Sequence, residues 1–132
     1  MIVSEGMSTT VLTVGPDRSL REVAKLMTER NVGAAVVVDP DGNGPGIVTE
    51  RDVLRAYSED RVTGDDPVRD YTTHRAVFAA PDWSLERAAD EMVRGAFRHL
   101  IVVDGAEIVG VLSMRDIVTC WARDGATSEM PG

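Results

Sequence analysis

The chain repeats itself, and this constrains its fold more than any other feature. Pro16-Asp17-Arg18-Ser19-Leu20 matches Pro81-Asp82-Trp83-Ser84-Leu85 at a separation of 65 positions (81 − 16). Beyond the next loop the separation falls to 64 (110 − 46), as from Gly46 to Gly110, which indicates a one-residue deletion. The copies cover residues 2–66 and 67–124. A repeat of this length predicts two similar structural units.

Each copy has the same predicted order of elements, β-α-β-β-α. In the first copy, Val11–Val14 is a short β-rich run, and Ser19 then stands where a helix cap is expected. Apolar residues follow at helical spacing, namely Leu20, Val23, Ala24 and Met27. Val32–Asp39 is apolar enough for a strand covered on both faces. Gly46–Val48 predicts a further strand, and Thr49 opens the second helix.

The predicted fold class is therefore α/β (α+β). A unit of about 60 residues buries too little apolar surface to be stable alone, so the two copies are expected to pack through their sheets as a pseudo-twofold pair. Residues 125–132 are expected to form a disordered C-terminal tail.

Composition excludes several classes of function. The net charge of −8 argues against nucleic acid or an anionic membrane as the main partner, because both require a basic surface. No apolar run approaches the roughly 18 residues of a membrane span, and the N-terminus lacks the pattern of a secretory signal. A single cysteine, Cys120, cannot form an internal disulfide, which favours a cytoplasmic location. His74, His99 and Cys120 lack metal-ligand spacing, so no metal site is predicted.

The candidate functional residues lie in two matched stretches, Gly46–Asp52 and Gly110–Asp116. Each contains a glycine, a short apolar strand, a hydroxyl residue and a carboxylate three positions later. Thr49 with Asp52, and Ser113 with Asp116, can form capping boxes at the helix starts. A cap alone explains a single such pair, and a cap does not prevent ligand binding.

Arginines strengthen the ligand interpretation. Arg51 and Arg115 each precede the carboxylate, in a first helical turn where the dipole disfavours a cation by about 0.3–1 kcal/mol. A local ion pair is one explanation. The other is an anion bound at the helix N-terminus and held by the guanidinium, with the carboxylate accepting from ribose hydroxyls. This combination is suited to a phosphoribosyl ligand.

The two stretches are not equivalent. Arg98 and His99 begin a predicted strand near Ser113–Asp116, whereas the corresponding residues of the first copy are Gly33 and Ala34. We therefore expect the second site to be better equipped for phosphate.

The chain resembles a tandem pair of CBS domains, also called a Bateman module. The resemblance covers nearly the whole chain and rests on Gly46–Asp52, Gly110–Asp116, the paired Pro-Asp-x-Ser-Leu segments and Phe97–Asp104, although many relatives have proline in place of Ile101. It implies that Asp52 and Asp116 bind ribose, and that the hydroxyl residues and arginines of the two stretches face phosphate. The implied ligands are AMP, ADP, ATP, NAD or S-adenosylmethionine, bound in clefts between the repeats.

The predicted function is a regulatory module that senses an adenosine-containing ligand and signals to an unidentified effector protein in trans. The resemblance also implies a homodimer, and Trp83 and Trp121 are interpreted as packing at a surface or subunit contact. The alternative is a structural or interaction protein whose nucleotide sites are vestigial. No catalytic residues and no catalytic cofactor are predicted, since no nucleophile–base pair or phosphate-binding loop is visible.

Overall fold

The computed structural model describes residues 1–42, 44–59 and 64–125. Of the predicted C-terminal tail, Gly125 ends the last helix, and residues 126–132 lie outside the described residues. The disorder predicted for the tail therefore stays a prediction.

The chain alternates short strands with amphipathic helices, in the predicted order. In sequence the elements are α1 (Val3–Gly6), β1 (Thr13–Val14), α2 (Leu20–Arg30), β2 (Ala34–Val37), β3 (Gly46–Thr49), α3 (Glu50–Ser58), a 3₁₀ helix (Val68–Tyr71), β4 (Phe78–Ala79), α4 (Leu85–Gly95), β5 (His99–Asp104), β6 (Glu107–Ser113) and α5 (Met114–Gly125). The β-α-β-β-α order is confirmed twice. Each copy also begins with a short helical turn, α1 in the first and the 3₁₀ helix in the second.

Two three-stranded sheets result, with strand orders β1-β2-β3 and β4-β5-β6. In each sheet the first strand is parallel to the central strand, and the third is antiparallel to it. All four residues of β2 are buried, as the continuous apolar run predicts. The mixed α+β fold class is thereby confirmed.

Serine caps begin the first long helix of each copy. Ser19 Oγ accepts from the Glu22 N–H at 3.1 Å, and Ser84 Oγ accepts from the Arg87 N–H at 3.0 Å. Arg87, which replaces the capping glutamate, places its guanidinium 3.8 Å from the centre of the Trp83 ring. Trp83 is partly buried and packs against the core of its unit.

The compact units do not have the same bounds as the sequence copies. One unit joins Met1–Thr10 to the chain from Val77 onward, and the other is Val11–Ala76. The first residues of each copy, 2–10 and 67–76, therefore belong to the unit formed by the rest of the other copy. The predicted domain bounds, 2–66 and 67–124, stay a prediction about the repeat in the sequence.

Two valines at corresponding positions account for this exchange. Val3 is fully buried in the unit of the second copy and donates its N–H to the Trp83 carbonyl at 2.8 Å. Val68 is fully buried in the unit of the first copy and donates to the Arg18 carbonyl at 2.7 Å. Each side chain completes a core that its own copy does not contain.

The helices α2 and α4 both end in a left-handed residue, and only one of these residues tolerates that conformation well. Asn31 has φ 53° and Ala96 has φ 57°. Asparagine visits this region at low cost, whereas alanine is disfavoured there by roughly 1–2 kcal/mol. We therefore predict that Ala96→Gly raises the free energy of unfolding by about 0.5–1 kcal/mol, measured by chemical denaturation.

The matched control is Asn31→Ala, the opposite change at the corresponding position. It should lower the free energy of unfolding by a similar amount. A destabilised Ala96→Gly variant would contradict the assignment of strain to Ala96.

Candidate functional site

The first candidate site lies where β3 passes directly into α3. Thr49 Oγ1 accepts from the Asp52 N–H at 3.2 Å, and the Thr49 N–H donates to Asp52 Oδ2 at 2.8 Å. The Thr49 hydroxyl also donates to Asp52 Oδ2, at 3.0 Å. This is a complete capping box, so the capping role predicted for both residues is confirmed.

The second candidate site has the same geometry where β6 passes into α5. The Ser113 N–H donates to Asp116 Oδ2 at 2.8 Å, and Ser113 Oγ accepts from the Asp116 N–H at 3.0 Å. Within the described chain, the Ser113 hydroxyl has no acceptor that corresponds to the one used by Thr49. Its hydrogen is therefore available to a ligand oxygen.

The caps leave part of each carboxylate available. The hydrogen bonds that the described residues make to the Asp52 and Asp116 side chains all end on Oδ2. Both side chains are half-buried, so each Oδ1 can accept from a ligand hydroxyl while Oδ2 keeps the helix start in place. Capping therefore leaves one oxygen atom of each carboxylate for a further hydrogen bond.

The arginines of the two stretches are exposed in the first turns of α3 and α5. Across residues 1–42, 44–59 and 64–125, no ion pair involves Arg51 or Arg115. A local ion pair therefore does not explain their presence in the described structure. Both guanidinium groups can bind an external anion.

Arg98 and His99 lie next to the second site. His99 is paired with Ser113 across the β5–β6 ladder, and the Arg98 carbonyl accepts from the Met114 N–H at 2.8 Å. His99 is half-buried and Arg98 is exposed. The structure thus brings together the residues that the sequence assigned to this site, which are Arg98, His99, Ser113, Arg115 and Asp116.

The motif glycines have a structural role that the sequence analysis missed. A Cβ on Gly46 would lie 2.9 Å from the Thr73 carbonyl oxygen, and one on Gly110 would lie 2.8 Å from the Ser8 carbonyl oxygen. Here the exchanged segment pairs with the third strand of each sheet, through the bridges Ile47 to Thr73 and Ser8 to Val111. The recurrence of glycine at the same position of both stretches was the available signal for this close approach.

Other kinds of site receive no support from the described residues. No three His, Cys, Asp or Glu side chains in this part of the chain come together as a metal site. None of the helices described has the length and apolar character needed to cross a membrane.

Comparison with known proteins identifies the family. The sequence-family model of the CBS domain matches residues 3–59 and again residues 68–122. This chain belongs to the CBS-domain family. The CBS domain-containing protein YhcV of Bacillus subtilis is 36% identical over 116 residues, which are 87% of this chain and 81% of YhcV. The recognition of a tandem CBS pair is confirmed.

Solved CBS structures share the fold. A CBS domain protein from Pyrobaculum aerophilum complexed with AMP is 30% identical, with a TM-score of 0.79 over 93% of this chain and 99% of that one. A hexameric CBS-CP12 protein from bloom-forming cyanobacteria has a TM-score of 0.85 and 22% identity, over 89% of this chain and 69% of that one. The second likeness supports the fold alone.

The close approach at the motif glycines generates a prediction about stability. Gly110→Ala should lower the free energy of unfolding by about 1–3 kcal/mol, because the new methyl group would overlap the backbone oxygen of Ser8. Chemical denaturation followed by far-UV circular dichroism measures the change. Gly15→Ala is the control, since a Cβ there meets nothing within 4 Å. Equal stability of the two variants would contradict the proposed role of Gly110.

Proposed function

We propose that this CBS pair is a regulatory module that binds an adenosine-containing ligand at the starts of α3 and α5. Ligand occupancy then changes the affinity of the module for an effector protein. The observation that carries the proposal is a matched arrangement at both helix starts: a hydroxyl, an arginine with no ion pair among the described residues, and a carboxylate with one available oxygen. Binding residues are Thr49, Arg51, Asp52, Arg98, His99, Ser113, Arg115 and Asp116.

The arrangement suits binding better than catalysis. Each helix start offers a dipole and a guanidinium to an anion, and a carboxylate oxygen to the hydroxyl groups of a ribose. Stabilising a bound ground state in this way does not accelerate a reaction. We therefore assign the module to ligand sensing and not to an enzyme.

The ligand class is supported by the AMP complex of the Pyrobaculum aerophilum relative, which is 30% identical to this chain. AMP contains the two groups that the site residues are suited to bind, a phosphate and a ribose, joined to an adenine ring. ADP, ATP, NAD and S-adenosylmethionine share the adenosine part and remain candidates. The alternative, an interaction protein with vestigial sites, requires that none of them bind.

Ligand binding can be tested by thermal shift. A ligand at 100 times its Kd contributes about 2.7 kcal/mol to stability, so a true ligand should raise the Tm by several degrees. We predict a shift with AMP for the unmodified protein. In Asp116→Ala the AMP-induced shift should be strongly reduced, because the ribose acceptor of the better equipped site is lost.

Asp116→Ala also removes part of a helix cap, so its control must lose a cap without losing a ligand group. Ser84→Ala meets this requirement, since Ser84 caps α4 and has no proposed contact with a ligand. Both variants should have a lower basal Tm, from a loss of about 1 kcal/mol. Only Ser84→Ala should keep the AMP shift. Absence of any shift at millimolar ligand would favour the vestigial alternative.

We also propose that two copies of the module pair through α3 and α5. Corresponding apolar residues are exposed three positions apart on these helices: Leu54 (72%) with Tyr57 (42%), and Val118 (55%) with Trp121 (39%). Residues three apart share one helix face, so each helix presents an apolar pair. Recurrence of the pair on both copies suits a symmetric contact.

This pairing predicts that Leu54→Asp lowers the dimer fraction measured by size-exclusion chromatography with light scattering, since the charge would be buried in the contact. Val93→Asp is the matched control, because Val93 is also 72% exposed but lies on α4. A monomeric unmodified protein, or an assembly that Leu54→Asp leaves intact, would contradict the pairing. A hexamer, as described for the cyanobacterial protein, would require a different assembly.

A further inference from the structure

The two candidate sites share their backbone geometry but differ in charge. The Glu50 N–H donates to the Gly33 carbonyl at 2.9 Å, and the Met114 N–H donates to the Arg98 carbonyl at 2.8 Å. These are corresponding residues on the same two elements of each sheet. At this contact the first site has a carboxylate and no cation, whereas the second has a cation and no carboxylate.

The Glu50 side chain lies against the strand start. Its carboxylate oxygens are both 3.6 Å from the position that a Cβ on Gly33 would occupy. The corresponding Met114 is partly buried and packs against the core of its unit. The carboxylate of Glu50 therefore stays close to the N-terminus of α3, while Met114 is directed into apolar surroundings.

The net formal charges of the two sites have opposite signs. Glu50, Arg51 and Asp52 together carry −1 at the first site. Arg98, Arg115 and Asp116 together carry +1 at the second. The carboxylate of Glu50 lies in the first turn of α3, where it interacts favourably with the helix dipole and repels an incoming phosphate.

We infer that Glu50 selects ligands by charge. The first site takes an adenosine derivative whose 5′ group is neutral or cationic, and the second takes a derivative with a 5′ phosphate. The inference rests on the proposed function, because it assigns a ligand class to each of the two sites. Glu50 and Arg98 are its specificity-determining residues.

The experiment isolates each site and measures the Kd of two probes, AMP and adenosine, by calorimetry. Asp116→Ala leaves the first site intact, and Asp52→Ala leaves the second. AMP should bind Asp52→Ala within about threefold of its affinity for the unmodified protein. It should bind Asp116→Ala at least about tenfold more weakly than Asp52→Ala, because the phosphate faces a like charge.

Glu50→Met, the residue found at the second site, is then added to Asp116→Ala. AMP affinity should rise by about tenfold, and adenosine affinity should change by less than about twofold, since adenosine carries no charge. The matched control is Glu86→Gln in the same background, which removes an exposed first-turn carboxylate from α4. It should leave both affinities unchanged.

A second variant tests the inference without Asp116→Ala, so that it does not depend on the folding of that background. Arg98→Ala added to Asp52→Ala should weaken the binding of AMP by about tenfold and leave the binding of adenosine nearly unchanged. Because Arg98 is exposed, we expect its replacement to leave the fold intact. Circular dichroism checks that each variant is folded.

The outcomes distinguish failure of nucleotide binding from failure of charge selection by Glu50. If neither probe binds any variant or the unmodified protein, the proposed function fails and the charge selection fails with it. If AMP binds both isolated sites equally and Glu50→Met has no effect, the module binds nucleotides but Glu50 does not select them. An equal gain in AMP affinity from Glu86→Gln would also overturn the inference, because it would reflect net charge alone.

Discussion

Each compact unit depends on one buried valine that comes from the first residues of the other copy. Val3 and Val68 are fully buried, and the backbone on both sides of each is hydrogen-bonded within the unit that it joins. A copy of about 60 residues has a small core, so one missing side chain leaves a large fraction of it open. The exchange makes the stability of each unit depend on chain that lies outside its own copy. It also pairs the backbone of the exchanged segment with the third strand of each sheet, next to a glycine whose Cβ would overlap a backbone oxygen.

This arrangement explains why structural and functional residues are adjacent in the same seven-residue stretch. Gly110 admits the exchanged segment in the middle of the third strand, and Ser113 with Asp116 fixes the helix start at the end of that strand. The capping carboxylate loses little of its hydrogen-bonding capacity, because the cap uses one oxygen. The same local structure that ends a strand and starts a helix thus leaves the Ser113 hydroxyl hydrogen and Asp116 Oδ1 without a hydrogen-bond partner among the described residues. Few further side chains are needed to make this junction between strand and helix a binding site, and Arg115 is one of them.

Features with a local pattern could be predicted from the sequence, and features that depend on distant contacts could not. The element order followed from apolar spacing, and the caps at Ser19, Thr49 and Ser113 followed from residue type at a helix start. The burial of Val3 could not be predicted, because its partners lie some 80 positions away in the chain and a single apolar residue has no period. The importance of Glu50 was also missed. In the sequence it is an ordinary acidic residue at the start of a helix, and only the structure shows that its carboxylate lies close to Gly33.

On the proposed assignment, the difference in charge between the two sites determines which ligands the module responds to. Two equal sites for one nucleotide respond only to its concentration, whereas sites that differ in charge respond separately to phosphorylated and unphosphorylated adenosine compounds. A ligand shifts a conformational equilibrium only by its differential affinity for the two states, and the coupling between two sites is reciprocal. On the proposed assignment, occupancy at Glu50–Asp52 therefore alters the affinity at Met114–Asp116 whenever the two sites share a conformational change. The output would then depend on the ratio of the two ligand classes, and the charge at a single helical position, Glu50, would set that dependence.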